Sequence, residues 1–129
     1  MKIKTLVAVL LLSGGVTSTF AQTENCNSNS SISHEAVRAG NFKDAYAPCM
    51  AVLKDCPTLR YYTFTDAQKI LVGFLSQIKD RNSADYKKYF DELMDVYDLR
   101  MKYIPEFINK GMKGVPSVAD ALGAKAVDY

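Results

Sequence analysis

Metal-binding and nucleophilic side chains are scarce in this chain, which has one histidine, His34, and three cysteines, Cys26, Cys49 and Cys56. Zinc sites usually take four such ligands at close spacing, whereas these residues are dispersed along the chain. The carboxylates within residues 91–98 lack the glycine-centred loop of a calcium site. The sequence therefore predicts neither a metal nor another cofactor.

A recognisable catalytic constellation is also missing. His34 and Cys49 would be the smallest thiol–imidazole couple, because an imidazole can keep a thiolate ionised. Nothing in their spacing brings them together, and the residues around Cys49 carry no nucleophile signature. We therefore predict that the chain is not an enzyme, with a thiol-dependent activity as the alternative.

The chain has no apolar run long enough to cross a membrane, which takes about 20 residues. Its longest, residues 6–12, follows Lys2 and Lys4 and precedes the tripeptide 19–21, which has small residues at both ends. This order is typical of a secretory signal peptide, so we predict cleavage after Ala21. The expected location is the periplasm or the extracellular space, with association with the cell envelope as an alternative. No stable membrane span is expected once the signal is removed.

The net positive charge of the full chain disappears when the signal peptide is removed. The 16 lysines and arginines fall to 14 without Lys2 and Lys4, which matches the 14 aspartates and glutamates. A near-neutral chain with mixed charges has no basic stripe for phosphates, so we predict no nucleic-acid binding. The remaining length suits a single domain.

Residues 40–57 are the most informative part of the sequence. Gly40 suits the left-handed position that ends a helix, here one expected at about 31–39, and the side chain of Asn41 can cap the next helix. Pro57 then stops that helix. Between the two stops, apolar residues recur at helical spacing: Phe42, Ala45, Tyr46, Cys49, Val52 and Leu53. The pattern predicts a helical hairpin.

The order of small residue, turn, aromatic, small helix residue and closing proline resembles the tetratricopeptide repeat family. Four residues occupy those positions: Gly40, Phe42, Ala45 and Pro57. The resemblance implies hairpins that bury their faces by stacking, and adaptor-like binding of proteins. A generic α-hairpin is the alternative. Residues 53–71 and 79–103 are similar to the N-terminal region of longer exported, uncharacterised repeat proteins of Bacteroides-type bacteria, which implies a fold without a reaction.

Two more helices are expected to form a second hairpin. Thr65 and Gln68 have the form of a capping box, and an apolar stripe follows them to Ile78. Ser83 can cap the fourth helix, whose stripe runs over residues 86–101. Because the two hairpins differ in length, the repeat is irregular.

The chain therefore divides into a signal peptide (1–21), two helical hairpins (22–102), a loop (103–116) and the start of a further helix (117–129). Two glycines and two prolines punctuate residues 103–116, with one short helix at about 106–110 as the alternative to a continuous loop. The last helix has an apolar stripe and no stop signal, so we expect more of the repeat to follow it. The predicted fold is all-α, with stacked antiparallel hairpins.

Three cysteines in an oxidising compartment allow one disulfide and one free thiol. Cys49 and Cys56 are seven residues apart on one helix, which is roughly 10 Å along its axis and beyond the reach of a disulfide. In a hairpin, the entry to the first helix lies beside the exit of the second, where Cys26 and Cys56 are found. We predict a Cys26–Cys56 disulfide and a buried Cys49 thiol.

Aromatic residues cluster in the second half of the chain. Tyr61 and Tyr62 are consecutive, so both cannot face one core, and we predict that one of them contacts a partner. The expected function is an exported scaffold that binds a protein or peptide in a groove between hairpins. Two alternatives stay open: a glycan-binding protein of the outer surface, and the N-terminal part of a periplasmic enzyme.

Overall fold

The computed structural model describes residues 24–129, and all regular structure in that part of the chain is helical. The helices are α1 (24–38), α2 (Phe42–Asp55), α3 (Tyr62–Gln77), α4 (Ala84–Asn109) and α5 (Val118–Asp128). The all-α class predicted from the sequence is confirmed for these residues. The predicted signal peptide, 1–21, lies outside them.

Helix α1 includes residues 24–30, ahead of the start expected from the sequence. Cys26 and Ser30 in this stretch are buried, at 3% exposure each. Cys26 forms a disulfide with Cys56, which directly follows α2, and their Cα atoms are 6.2 Å apart. This is the predicted pair, and it stabilises the hairpin by ~3 kcal/mol through the closed loop.

The turn between α1 and α2 is closed by backbone hydrogen bonds around a left-handed glycine. Gly40 has a φ of 75° and donates to the carbonyl of Val37, while the amide of Asn41 donates to the carbonyl of Ala36. This is the Schellman pattern. The predicted cap by Asn41 is wrong, because its side-chain Nδ2 donates to the carboxylate of Asp44 at 2.6 Å instead.

The start of α3 also differs from the sequence prediction. The helix begins at Tyr62, and the Thr65 hydroxyl, predicted to cap it, donates to the carbonyl of Tyr62 at 3.0 Å within the first turn. Burial of Phe64 places this turn in the core and extends the helix backwards. The serine caps agree better with the sequence, since Ser83 and Ser117 each accept from an amide three residues on.

Helix α4 continues through Pro105 to Asn109, so the predicted loop 103–116 is shorter than expected. A proline inside a helix costs about 3 kcal/mol. Its neighbours Ile104 and Phe107 are fully buried, while Pro105 itself is exposed. Burying the two apolar side chains contributes roughly 1.5–3 kcal/mol each, which offsets the cost of the proline.

The core forms around α3, which contacts α2 and α4 along its length. Its fully buried residues are Phe64, Ala67, Ile70 and Leu71. Helix α1 reaches α3 through the side chains of His34 and Asp66, and α5 packs on α4. The predicted buried thiol, Cys49, lies in the same core at 0% exposure.

A glycine allows α2 and α3 to approach closely. A Cβ added at Gly73 in α3 would lie 2.5 Å and 2.7 Å from two ring carbons of Phe42, the first residue of α2. We expect Gly73→Ala to lower the free energy of unfolding by about 1 kcal/mol or more. In a Phe42→Ala background the same change should raise it by up to about 1 kcal/mol, because alanine favours a helix over glycine.

Denaturant unfolding of the wild type, both single variants and the double variant measures this coupling. If Gly73→Ala has the same effect in both backgrounds, the Phe42 ring does not set the distance between α2 and α3.

Candidate functional site

The hairpin groove is a furrow between α2 and α4, one helix from each of the two predicted hairpins. Its volume is about 250 Å³. Four apolar residues form the floor and three charged residues form the rim: Met50, Leu53, Val96 and Leu99, then Lys54, Glu92 and Asp95. The combination of apolar floor and charged rim is typical of a peptide-binding surface.

The groove follows from the periodicity of the two helices. Val96 and Leu99 recur at helical spacing on α4, and Met50 and Leu53 do so on α2. Leu53 and Val96 are each 6% exposed and form the buried part of the floor. Met50 and Leu99 are only half-buried, so they leave apolar surface open to a ligand.

A tyrosine beside the groove connects its two walls. Tyr46 of α2 donates a hydrogen bond of 2.6 Å to the carboxylate of Glu92 on α4, and its ring meets that of Tyr89 edge-on at 6.0 Å. Burial, together with the bond to Glu92, raises the pKa of Tyr46, so the phenol stays protonated and remains a donor. Tyr46 therefore fixes the distance between α2 and α4.

Two rim charges are free to pair with a ligand. Within residues 24–129, Lys54 and Asp95 have no ion-pair partner. The third, Glu92, is already used by Tyr46. The groove thus offers one cation and one anion beside its apolar floor.

Tyr61 and Tyr62, the predicted binding residues, both lie half-buried at the start of α3. The Tyr61 hydroxyl accepts a 2.6 Å hydrogen bond from Nε of Arg100 on α4. The Tyr62 ring stacks on His34 of α1, with the ring centroids 4.0 Å apart. The two side chains face different directions, and each is covered by a helix: Tyr61 by α4 and Tyr62 by α1. A role for either in binding a partner stays a prediction.

The four residues behind the repeat resemblance lie at a helix end, at helix crossings and in a turn. Gly40 ends α1 and Phe42 lies against Gly73. Ala45 is fully buried in α2, and Pro57 lies in the turn that follows this helix. Each residue therefore has a local role in building a tight α-hairpin.

Sequence reasoning missed a buried arginine. Arg100 is 8% exposed and donates to Tyr61 and, at 3.4 Å, to the side-chain oxygen of Gln68. Within residues 24–129 no carboxylate forms an ion pair with it. Its spacing from Val96 and Ile104 puts it on the buried stripe of α4, and that periodicity is the signal that could have found it.

The thiol–imidazole couple considered from the sequence does not form. Nδ1 of His34 lies 2.7 Å from the carboxylate of Asp66, and the Cys49 thiol donates to the carbonyl of Thr63 at 3.6 Å. Burial, with the nearby charge of Asp66, raises the pKa of Cys49 to about 12. The thiol is therefore protonated at neutral pH and is a poor nucleophile.

Neither a metal cluster nor a membrane span is found in the described part of the chain. Residues 24–129 contain no group of three or more His, Cys, Asp or Glu side chains placed to hold a metal ion. No helix there combines the length and the apolarity needed to cross a bilayer.

Comparisons of the chain with protein-family models, with curated proteins and with solved structures find no match.

The raised pKa of Cys49 predicts a distinct alkylation pattern at about pH 8, where an unfolded thiol is partly ionised. We expect iodoacetamide to modify no cysteine in the folded, oxidised protein. In concentrated guanidinium chloride without reductant it should modify Cys49 alone, and with reductant all three cysteines. Mass spectrometry counts the adducts. Labelling of the folded protein at the denatured rate would show that Cys49 is accessible.

Proposed function

We propose that this chain is an exported helical-repeat module that binds a protein or peptide partner in the hairpin groove. The supporting observation is the open apolar floor at the junction of α2 and α4. Met50 and Leu99 leave that floor partly exposed, and covering apolar surface contributes about 25 cal/mol per Å². A partner that covers it gains this energy, so binding requires no chemistry beyond complementarity.

The pattern of contacts between helices supports stacked hairpins. Helix α3 meets α1 through Asp66 and His34, and meets α5 through Gln68 and Asp128. Helix α2 meets α4 through Tyr46. These side-chain bonds connect α3 with α1 and α5, and α2 with α4, which supports the proposal that the hairpins stack as in a solenoid.

The groove's chemistry defines its partner. Two neighbouring apolar side chains, such as those at positions i and i+4 of an amphipathic helix, would cover Met50 and Leu99. A basic partner residue would pair with Asp95 and an acidic one with Lys54. Such exposed pairs contribute at most about 1 kcal/mol each, so they select the orientation more than they add affinity.

The disulfide supports export. Disulfides persist in oxidising compartments and are rare in the cytosol. The Cys26–Cys56 bond joins the ends of one hairpin and keeps the start of α1 beside the end of α2. We therefore place the partner in the periplasm or outside the cell.

The test is affinity capture from native envelope and periplasm with the tagged mature chain, residues 22–129, and two matched variants. Met50→Glu/Leu99→Glu places charges on the floor of the groove. Ile32→Glu/Ile108→Glu adds the same charges at exposed positions, 54% and 51% exposed. Circular dichroism and thermal melting establish that all three proteins are folded.

We expect the wild type and the control variant to retain the same partner, and the groove variant to retain at least about ten-fold less, because a charge facing an apolar ligand is left unpaired. Equal retention by the groove variant would show that the partner binds elsewhere.

A further inference from the structure

A second concave surface, which we call the turn cleft, lies where the α3–α4 turn meets the end of α5. It has two chambers of about 390 and 440 Å³, and both are lined by Arg81 and Tyr86. The first, which we call the aliphatic chamber, has four aliphatic residues among the nine that line it: Val72, Leu75, Ile78 and Leu93. None of these residues belongs to the hairpin groove.

The second chamber has an aromatic wall. Tyr86 and Phe90 are one turn apart on α4, and their rings lie within 11° of parallel with centroids 6.4 Å apart. Tyr129, at the end of α5, adds a third ring 6.0 Å from that of Phe90 and is 84% exposed. Tyr86 and Phe90 are half-buried, and partly exposed aromatic rings in a concave site provide large contact areas at low entropic cost.

A cation lies at the junction of the two chambers. Arg81 is exposed in the α3–α4 turn, between Asp80 and Asn82. The carboxylate of Asp80 accepts from the amide of Asn82 at 2.9 Å, and its carbonyl accepts from the amide of Ser83. These bonds restrain the backbone of the turn that carries Arg81.

The cleft carries unpaired positive charge. Arg81 and Lys79 have no ion-pair partner within residues 24–129, whereas Lys87 is bound to Asp91 at 2.8 Å. The one carboxylate in the lining belongs to Asp128. It accepts hydrogen bonds from the Tyr97 hydroxyl and, at 3.4 Å, from the amide of Gln68. Asp128 is half-buried and both bonds go to one of its oxygens, whereas Arg81 and Lys79 are exposed, so cations outnumber carboxylate side chains in the lining.

We propose that the turn cleft is a second binding site, which takes an acidic peptide segment. A carboxylate side chain of the peptide pairs with the guanidinium of Arg81. One flanking apolar side chain packs on the aromatic wall, and the other enters the aliphatic chamber. The arrangement follows from the position of Arg81 in the lining of both chambers.

The aliphatic lining favours a peptide over an acidic glycan. Sugar hydroxyls placed against Val72, Leu75 and Ile78 would lose hydrogen bonds to water, and these three side chains offer no partner in return, which is unfavourable. A leucine or isoleucine side chain placed there loses no hydrogen bonds to water and buries apolar area. A planar carboxylate also matches the fork of donors on a guanidinium.

The test selects peptides from a phage-displayed random heptapeptide library on the folded mature chain. Parallel selections use Arg81→Gln and Lys113→Gln, which each remove one positive charge; Lys113 is exposed and lies outside the cleft. We expect the wild type and Lys113→Gln to enrich peptides with Asp or Glu between apolar residues, and Arg81→Gln to lose them.

Affinities of the most enriched synthetic peptide then provide the second measurement. We expect Phe90→Ala to weaken its binding about ten-fold or more, Arg81→Gln to weaken it up to about five-fold because the ion pair is exposed, and added salt to weaken binding to the wild type. Met50→Glu/Leu99→Glu should bind the peptide with the same affinity as the wild type. The proposal for the hairpin groove and the proposal for the turn cleft can therefore fail independently.

Three results would overturn the proposal. The first is that the wild type enriches no sequence beyond those found with Arg81→Gln. The second is that the enriched peptides lack acidic residues. The third is binding of oligogalacturonate that Arg81→Gln and Phe90→Ala abolish, together with no peptide binding, which would assign the cleft to an acidic glycan.

Discussion

Enclosure of α3 by its neighbours is the constraint on which the other features depend. Phe64, Ile70 and Leu71 are fully buried on this helix, and burial contributes roughly 1.5–3 kcal/mol for each. Because α2 and α4 both pack on α3, they come to lie side by side, and the hairpin groove is the furrow between them. The turn cleft opens where α3 ends and α4 begins, so it depends on the same crossing.

Polar groups inside this apolar core restrict how the helices can be arranged. The guanidinium of Arg100 donates to Tyr61, directly before α3, and to Gln68 in the second turn of α3. Sliding α4 along α3 would leave the buried charge without those partners, and an unsatisfied buried group costs about 1–3 kcal/mol or more. Thr63 already bears such a cost, since its buried hydroxyl has no hydrogen-bond partner among residues 24–129. The core therefore favours one register over closely related ones.

The sequence predicts features that depend on local pattern and misses those that depend on tertiary cover. Helical periodicity locates the helices, and hairpin geometry pairs Cys26 with Cys56. A capping side chain such as Asn41 has a competing partner that only the folded structure reveals. Pro105 is tolerated because the residues beside it are buried, and Tyr61 is covered because α4 passes over it. The groove and the cleft each combine residues from separate helices, so no single segment indicates them.

The disulfide also determines what a protease can achieve at the first hairpin. The turn at residues 39–41 is exposed, and exposed turns are preferred sites of cleavage. A cut there would fall inside the loop closed by Cys26 and Cys56, so α1 and α2 would stay covalently joined. The two pieces would remain at high effective concentration, and α2 could keep its place beside α4. In a protease-rich environment, a nicked molecule would thus retain both walls of the hairpin groove.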